Sequence, residues 1–141
     1  MSAPLYRDVY GELHEKAEID RHHVIPRCKA KGRHQRRFIN SYGLVLPMLK
    51  VWHNEGDNAL HNNVPLPNMP SDRFRSRLEA FMREDDTVGV YDKFFAISGF
   101  VHDLALDYKD TQVEREAARL SFNLEQQGAF ILQGMVEVVY E

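Results

Sequence analysis

The amino-acid sequence predicts an α+β fold, on three observations. Residues 18–69 combine short apolar runs, Val24-Ile25 and Leu44-Val45-Leu46, with four prolines and three glycines, the punctuation of a β-hairpin or irregular region with few long helices. Val64-Pro-Leu-Pro-Asn-Met-Pro70 then reads as a linker, too proline-rich for a helix interior. Beyond it, apolar residues recur at the spacing of amphipathic helices, so a helical subdomain of about three helices follows.

The elements are expected in this order. Residues 1–17 form a polar lead-in, with a short helix through Tyr6, Val9, Tyr10 and Leu13. Residues 18–69 form the compact region, and residues 70–141 the helical subdomain. Its first helix starts at an N-cap, Ser71, and places Phe74, Leu78, Phe81 and Met82 on one face. A second runs from Thr87 to Tyr108, with Tyr91, Phe94, Phe95, Val101, Leu104 and Ala105 on a broad apolar face. Asp85 and Asp86 before it and Lys109 after it suit the helix dipole. A third runs from Thr111 to Val138 through Val113, Ala117, Leu120, Leu124, Ile131 and Met135. Gly128 and Gly134 each weaken it by roughly 1 kcal/mol relative to alanine.

Charge is segregated. The net charge is −3, yet Arg21 to Asn54 carries eight Lys/Arg and no Asp or Glu. Those eight are Arg21, Arg27, Lys29, Lys31, Arg33, Arg36, Arg37 and Lys50, and the remainder of the chain stands at −11. Such a local excess suits a polyanion partner, because Lys and Arg displace counterions from phosphates; a merely solvated basic loop is the plain alternative. A single cysteine, Cys28, excludes an internal disulfide and a four-cysteine zinc ribbon. No apolar run approaches the roughly 20 residues of a membrane span, and the opening residues lack the pattern of a signal peptide. A cytoplasmic protein without membrane contact is therefore expected.

The stretch that carries chemistry is Glu18-Ile-Asp-Arg-His22-His23-Val-Ile-Pro26-Arg27. Adjacent residues on a strand point to opposite faces, so His22 and His23 cannot share one role. Beside a metal, one can bind the ion while the other faces a substrate. A neutral imidazole takes a proton from water at neutral pH, and a divalent cation offsets charge developing on a phosphodiester. Farther on, His53, Asp57 and His61 are spaced by four and would line one face of a continuous helix, although Gly56 lies inside it. Asn40 reads either as a site residue or as a turn residue ahead of Ser41 and Gly43.

His22-His-Val-Ile-Pro-Arg27, Asn40 ahead of Leu44-Val-Leu46, Trp52-His53 and Ala59-Leu-His61 together resemble the HNH endonucleases of the ββα-metal superfamily, above all small HNH-type proteins of actinobacterial phages. The resemblance spans residues 18–69. It implies a ββα-metal site and metal-dependent hydrolysis of phosphodiesters, DNA more than RNA, in a host-cell cytoplasm. His23 would be the general base and Asn40 would fix the loop and orient that base. His22 and His53 would bind the metal, with His61 or Asp57 as a further ligand. Arg21 and Arg27, followed by Lys29, Arg33, Arg36 and Arg37, would contact nucleic acid, on charge rather than on motif. Mg²⁺ or Mn²⁺ is the expected ion, although three imidazoles also favour Zn²⁺ or Ni²⁺.

The sequence departs from the family pattern in two places. Asn40 stands thirteen residues before His53, farther than the family places it, and His53 and His61 are eight apart where one helical turn is usual. Either Asp57 replaces the second late histidine or a short insertion containing Gly56 displaces it. Two other readings stay open. One is a non-catalytic HNH fold that binds nucleic acid through its basic stretch. The other is a module whose C-terminal helices bind a protein or form a homodimer, with residues 18–69 as a metal-stapled cap.

Overall fold

The computed structural model describes residues 3–42, 44–107 and 111–140; Gly43, Tyr108 and Lys109, all used in the sequence reading, lie outside them. The architecture is mixed α+β, with two small antiparallel sheets and six helices among the described residues.

The sheet that matters most is a pair of strands. β3 (Ile19–His23) runs antiparallel to β4 (Val45–Leu49), with Ile19 opposite Leu49, His22 opposite Leu46 and His23 opposite Val45. Between them lies α1 (Gly32–Tyr42), an 11-residue helix where the sequence pointed to irregular structure. It forms because Phe38, Ile39 and Tyr42 fall on one side and pack inward, while Arg33, Arg36 and Arg37 stay in water. β4 passes directly into α2 (Lys50–His53); α3 (Leu60–Asn63) follows after a break.

Three longer helices cover this unit: α4 (Asp72–Glu84), α5 (Val90–Ala105) and α6 (Thr111–Gly134). Ser71 caps α4 as expected, its hydroxyl accepting from the Phe74 amide at 3.5 Å and donating to Glu116 of α6 at 2.5 Å. One core runs through both parts of the chain, joining Val24, Phe38, Leu46 and Met48 to Phe74, Leu78, Phe94, Leu124 and Ile131.

The ends of the chain depart from expectation. The predicted N-terminal helix is instead a hairpin of β1 (Leu5–Asp8) and β2 (Leu13–His14). α6 ends at Gly134, and residues assigned to its last turn form β5 (Val136–Val139), which pairs with β1 from Leu5↔Val139 to Asp8↔Val136. Strand pairing between distant segments wins over local periodicity here, because Val136, Val138 and Val139 are β-branched and β1 offers an open edge. The Tyr91 hydroxyl locks the junction, donating to the Pro47 carbonyl of β4 and accepting from the Val136 amide at 3.0 Å. Burial pushes that hydroxyl's pKa up to about 12, so it remains a donor.

The two helix-weakening glycines of α6 have different reasons to be there. A Cβ on Gly134 would lie 2.8 Å from Trp52 Cβ and 3.1 Å from Met48 Cε, so helix and α2 touch backbone to side-chain root. On Gly128 it would meet only Phe94 Cε1 at 3.7 Å, an ordinary contact. Gly134→Ala is therefore expected to destabilise by about 1–3 kcal/mol, overpacking outweighing the gain in helix propensity. Gly128→Ala is expected to stabilise by about 0.5–1 kcal/mol. Urea midpoints moving in the same direction for both would defeat the assignment.

The N-terminal hairpin carries a charge cluster. Asp8 accepts from the amides of Tyr10 (2.8 Å) and Glu12 (2.9 Å) and from His14 Nε2 (2.7 Å), and His14 Nδ1 lies 3.3 Å from Glu18. The bond to Asp8 raises the His14 pKa above 6.5 against the opposing effect of burial, and the bond to His14 lowers Asp8 below 3.8. The histidine's contribution is thus complete below 6.5 and lost as pH rises through its raised value. The aspartate's is present above 3.8 and lost as pH falls through its lowered value. Thermal midpoints of the wild type should decline above pH 6.5 more steeply than those of His14→Gln, whereas parallel curves would remove the pair from the stability balance.

Candidate metal centre

Strand alternation sorts the residues of β3. Asp20 and His22 share the face toward the helices; Arg21 and His23 share the other. His22 is 2% exposed, and its Nε2 lies 2.7 Å from Gln127 Oε1 on α6. The Gln127 amide cannot turn over, since its Nε2 already donates to Asn123 Oδ1 (2.6 Å) and to the Val24 carbonyl (3.2 Å). Its oxygen must therefore face His22, which fixes the proton on His22 Nε2. The other ring nitrogen, Nδ1, is left as a bare lone pair, buried and without a hydrogen-bond partner.

His53, at the end of α2, is buried, and its Nδ1 lies 2.9 Å from Asp20 Oδ2. A carboxylate only accepts, so Nδ1 carries the proton and Nε2 is left with a lone pair that can accept. His61 Nε2 meets that nitrogen at 2.9 Å. Eight residues of continuous helix would separate the two by about 12 Å along the axis. The chain instead breaks at Gly56, whose φ of +88° suits only glycine, and turns back. Asn62 and Asn63 hold the turn by donating to the carbonyls of Gly56 (2.6 Å), Asp57 (2.7 Å) and Ala59 (2.8 Å).

The outcome is a cluster of three imidazoles, with ring centroids 4.4 Å apart for His53–His61, 5.1 Å for His22–His53 and 5.6 Å for His22–His61. One potential ligand atom from each lies within 4.8 Å of the others, so the group can hold a metal ion. The chemistry of the donors agrees. Nitrogens sharing a tetrahedral ion are about 3.3 Å apart, close to the His53–His61 spacing. The orphaned His22 nitrogen also lacks any other partner in the fold. Two of the three rings have their outer nitrogen bonded to a fixed acceptor, the arrangement that orients ligand histidines in metal sites.

Burial disfavours the charged form of two of the three rings. Burial, with smaller contributions from His53, His61 and His23, brings the His22 pKa down to about 4. Burial and then His53 lower His61. On the opposite face of β3, His23 is half-buried, and its pKa is lowered by burial and then by Arg27, Arg21 and His53.

Of the residues singled out in the sequence, the structure gathers His22, His53 and His61, with His23 next to them on β3. Asp57 lies exposed in the Gly56 turn, outside the cluster; the broken helix removes the face it was expected to share. Asn40 is exposed on α1 and makes no hydrogen bond to a histidine, lining instead a cleft of about 330 Å³ with Arg27, Cys28 and Arg36. Arg21, Arg27, Arg33, Arg36 and Arg37 are exposed and Lys29 half-buried. The sequence reading missed Asp20, Gln127 and Asn123. Asp20 was legible as the residue two before His22 on the same strand face, whereas Gln127 lies 105 residues away and gave no signal.

A second cluster, Asp8, Glu12 and His14, also falls within 4.8 Å, but Asp8 and His14 are already bonded to each other in the hairpin and Glu12 meets Asp8 through its backbone amide. No family model, curated protein or solved structure matches the chain. Among the described residues, no helix is long and apolar enough to cross a membrane.

Proposed function

We propose that the protein is a metal-dependent nuclease of HNH type, hydrolysing phosphodiester bonds, in DNA before RNA. The observation that carries this reading is the convergence of His22, His53 and His61, one of which, His22, keeps a buried ring nitrogen without a hydrogen-bond partner. β3 and β4 pair beside it and α2 follows β4 directly, with α1 inserted between the two strands. A divalent ion held by His22, His53 and His61 would supply positive charge against the phosphate as negative charge grows there.

The protein's own residues do the rest. His23, turned to the other face of β3, is kept uncharged by burial and by Arg27 and Arg21, and takes the proton from the attacking water. Oxygen–phosphorus bond formation then proceeds as the bond to the leaving oxygen breaks. Arg21 and Arg27 hold the substrate's phosphates beside that base. Asp20 and Gln127 fix the tautomers of the His53 and His22 rings, leaving one nitrogen of each with a lone pair. An all-nitrogen donor set favours Zn²⁺ or Ni²⁺ over Mg²⁺.

The test is nicking of supercoiled plasmid by the purified protein with Mg²⁺, Mn²⁺, Ni²⁺ or Zn²⁺, against an EDTA control. Asn40 favours a second reading, because it stands on α1 without a bond to the base it was expected to orient. In that reading the ion only staples a nucleic-acid-binding module, and metal binding without cutting under every ion would decide for it.

A further inference from the structure

α1 and α4 enclose a polar cleft of about 270 Å³, separate from the three histidines. Arg37 and Ser41 line it from α1, one helical turn apart; Arg75, Ser76, Glu79 and Arg83 line it from α4. Three guanidinium groups against Glu79 and the Asp72 carboxylate bonded to Arg75 leave an excess of one positive charge. Arg75 is the informative member. Its side chain is only 13% exposed, with Nη2 bonded to Asp72 at 3.0 Å and Nε 3.8 Å from Glu79. Its Nη1 is buried and has no hydrogen-bond partner. A buried cationic donor left open costs free energy, and a ligand that completes it removes that cost.

We propose that this cleft binds a phosphate group, held by Arg37, Arg75 and Arg83 with the hydroxyls of Ser41 and Ser76. A tetrahedral oxyanion has enough oxygens to meet donors arriving from two helices, and guanidinium forks match phosphate in pairs. A carboxylate, with two oxygens, would leave part of this donor set unmet. His34, also on the rim, adds a further donor. The cleft lies in the stretch of the chain that carries eight basic residues and no acidic one, apart from its α4 wall. The phosphate belongs either to a nucleic-acid backbone or to a phosphomonoester. The inference does not depend on the metal centre.

The experiment is a titration of ¹⁵N-labelled protein with inorganic phosphate in EDTA, so that the histidine cluster plays no part. The Arg75 side-chain resonance should shift and saturate. The double variant Arg37→Ala/Arg83→Ala, both exposed positions, should keep its circular dichroism and bind phosphate at least tenfold more weakly. Arg75→Lys, which keeps the charge but loses the fork, should weaken binding as well. An Arg75 resonance that does not move, or a double variant that binds as the wild type does, overturns the proposal. Competition then names the source. Displacement by an unphosphorylated oligonucleotide assigns the site to a backbone phosphodiester, and displacement by the 5′-phosphorylated form alone assigns it to a terminal phosphate. Loss of plasmid nicking with phosphate binding intact would count against the nuclease reading and not against this site.

Discussion

Replacing His23 with alanine is expected to lower plasmid nicking by about 10²–10⁴-fold, the usual contribution of a positioned general base. Metal affinity should stay unchanged. The two effects separate because β3 turns adjacent side chains to opposite faces: His22 points to Gln127 and the cluster, His23 to Arg21 and Arg27. His23 is half-buried and lies outside the core, so its truncation leaves no core cavity and the fold should hold. His22→Ala should behave differently, losing nicking and metal binding together. A His23→Ala protein as active as the wild type would end the assignment of the base, whatever its metal content.

How much of this was legible in the sequence depends on the range of the interaction that fixes each part. Helix α4 was readable to its cap, because Ser71 and the spacing of Phe74, Leu78 and Phe81 are local signals. β5 was not, because Val136–Val139 continue an apolar pattern that suits a helix until β1 pairs with it, and that pairing joins opposite ends of the chain. Likewise α1 escaped notice, since its apolar stripe is only Phe38, Ile39 and Tyr42 in a strongly basic segment.

The site divides in the same way. His22, His53 and His61 could be named from residue type and order. Spacing by four places Asp57 beside them only on a continuous helix, and Gly56 at positive φ breaks that helix and folds His61 back onto His53. The turn at Gly56 fits an insertion that displaces the late histidine rather than its replacement by Asp57. What no pattern could reveal is the tautomer of each ring. That depends on Gln127, itself held by Asn123 on the same helix face, and on Asp20 across from α2.

Those tautomers lead to the second large effect, which is on stability. The metal-free protein keeps a buried, unpartnered nitrogen at His22, at a cost of about 1–3 kcal/mol. An ion that occupies the cluster removes that cost and binds the folded state alone, the unfolded chain having no assembled site. Zn²⁺ at about a thousandfold excess over its dissociation constant should therefore stabilise the protein by about 4 kcal/mol. Differential scanning calorimetry would register this as a rise in midpoint of roughly 10–15 °C, reversed by EDTA. His22→Ala and His61→Ala should abolish the rise. Asp20→Asn and Gln127→Leu should only reduce it, since loss of an outer partner lowers metal affinity about 10–100-fold. Asp57→Ala is the deciding variant, because the sequence offered that carboxylate as a ligand and the fold holds it out in solvent. Its metal-induced rise should equal that of the wild type. If the rise collapsed instead, the Gly56 turn would have to close on the ion, and the three-imidazole set would be incomplete.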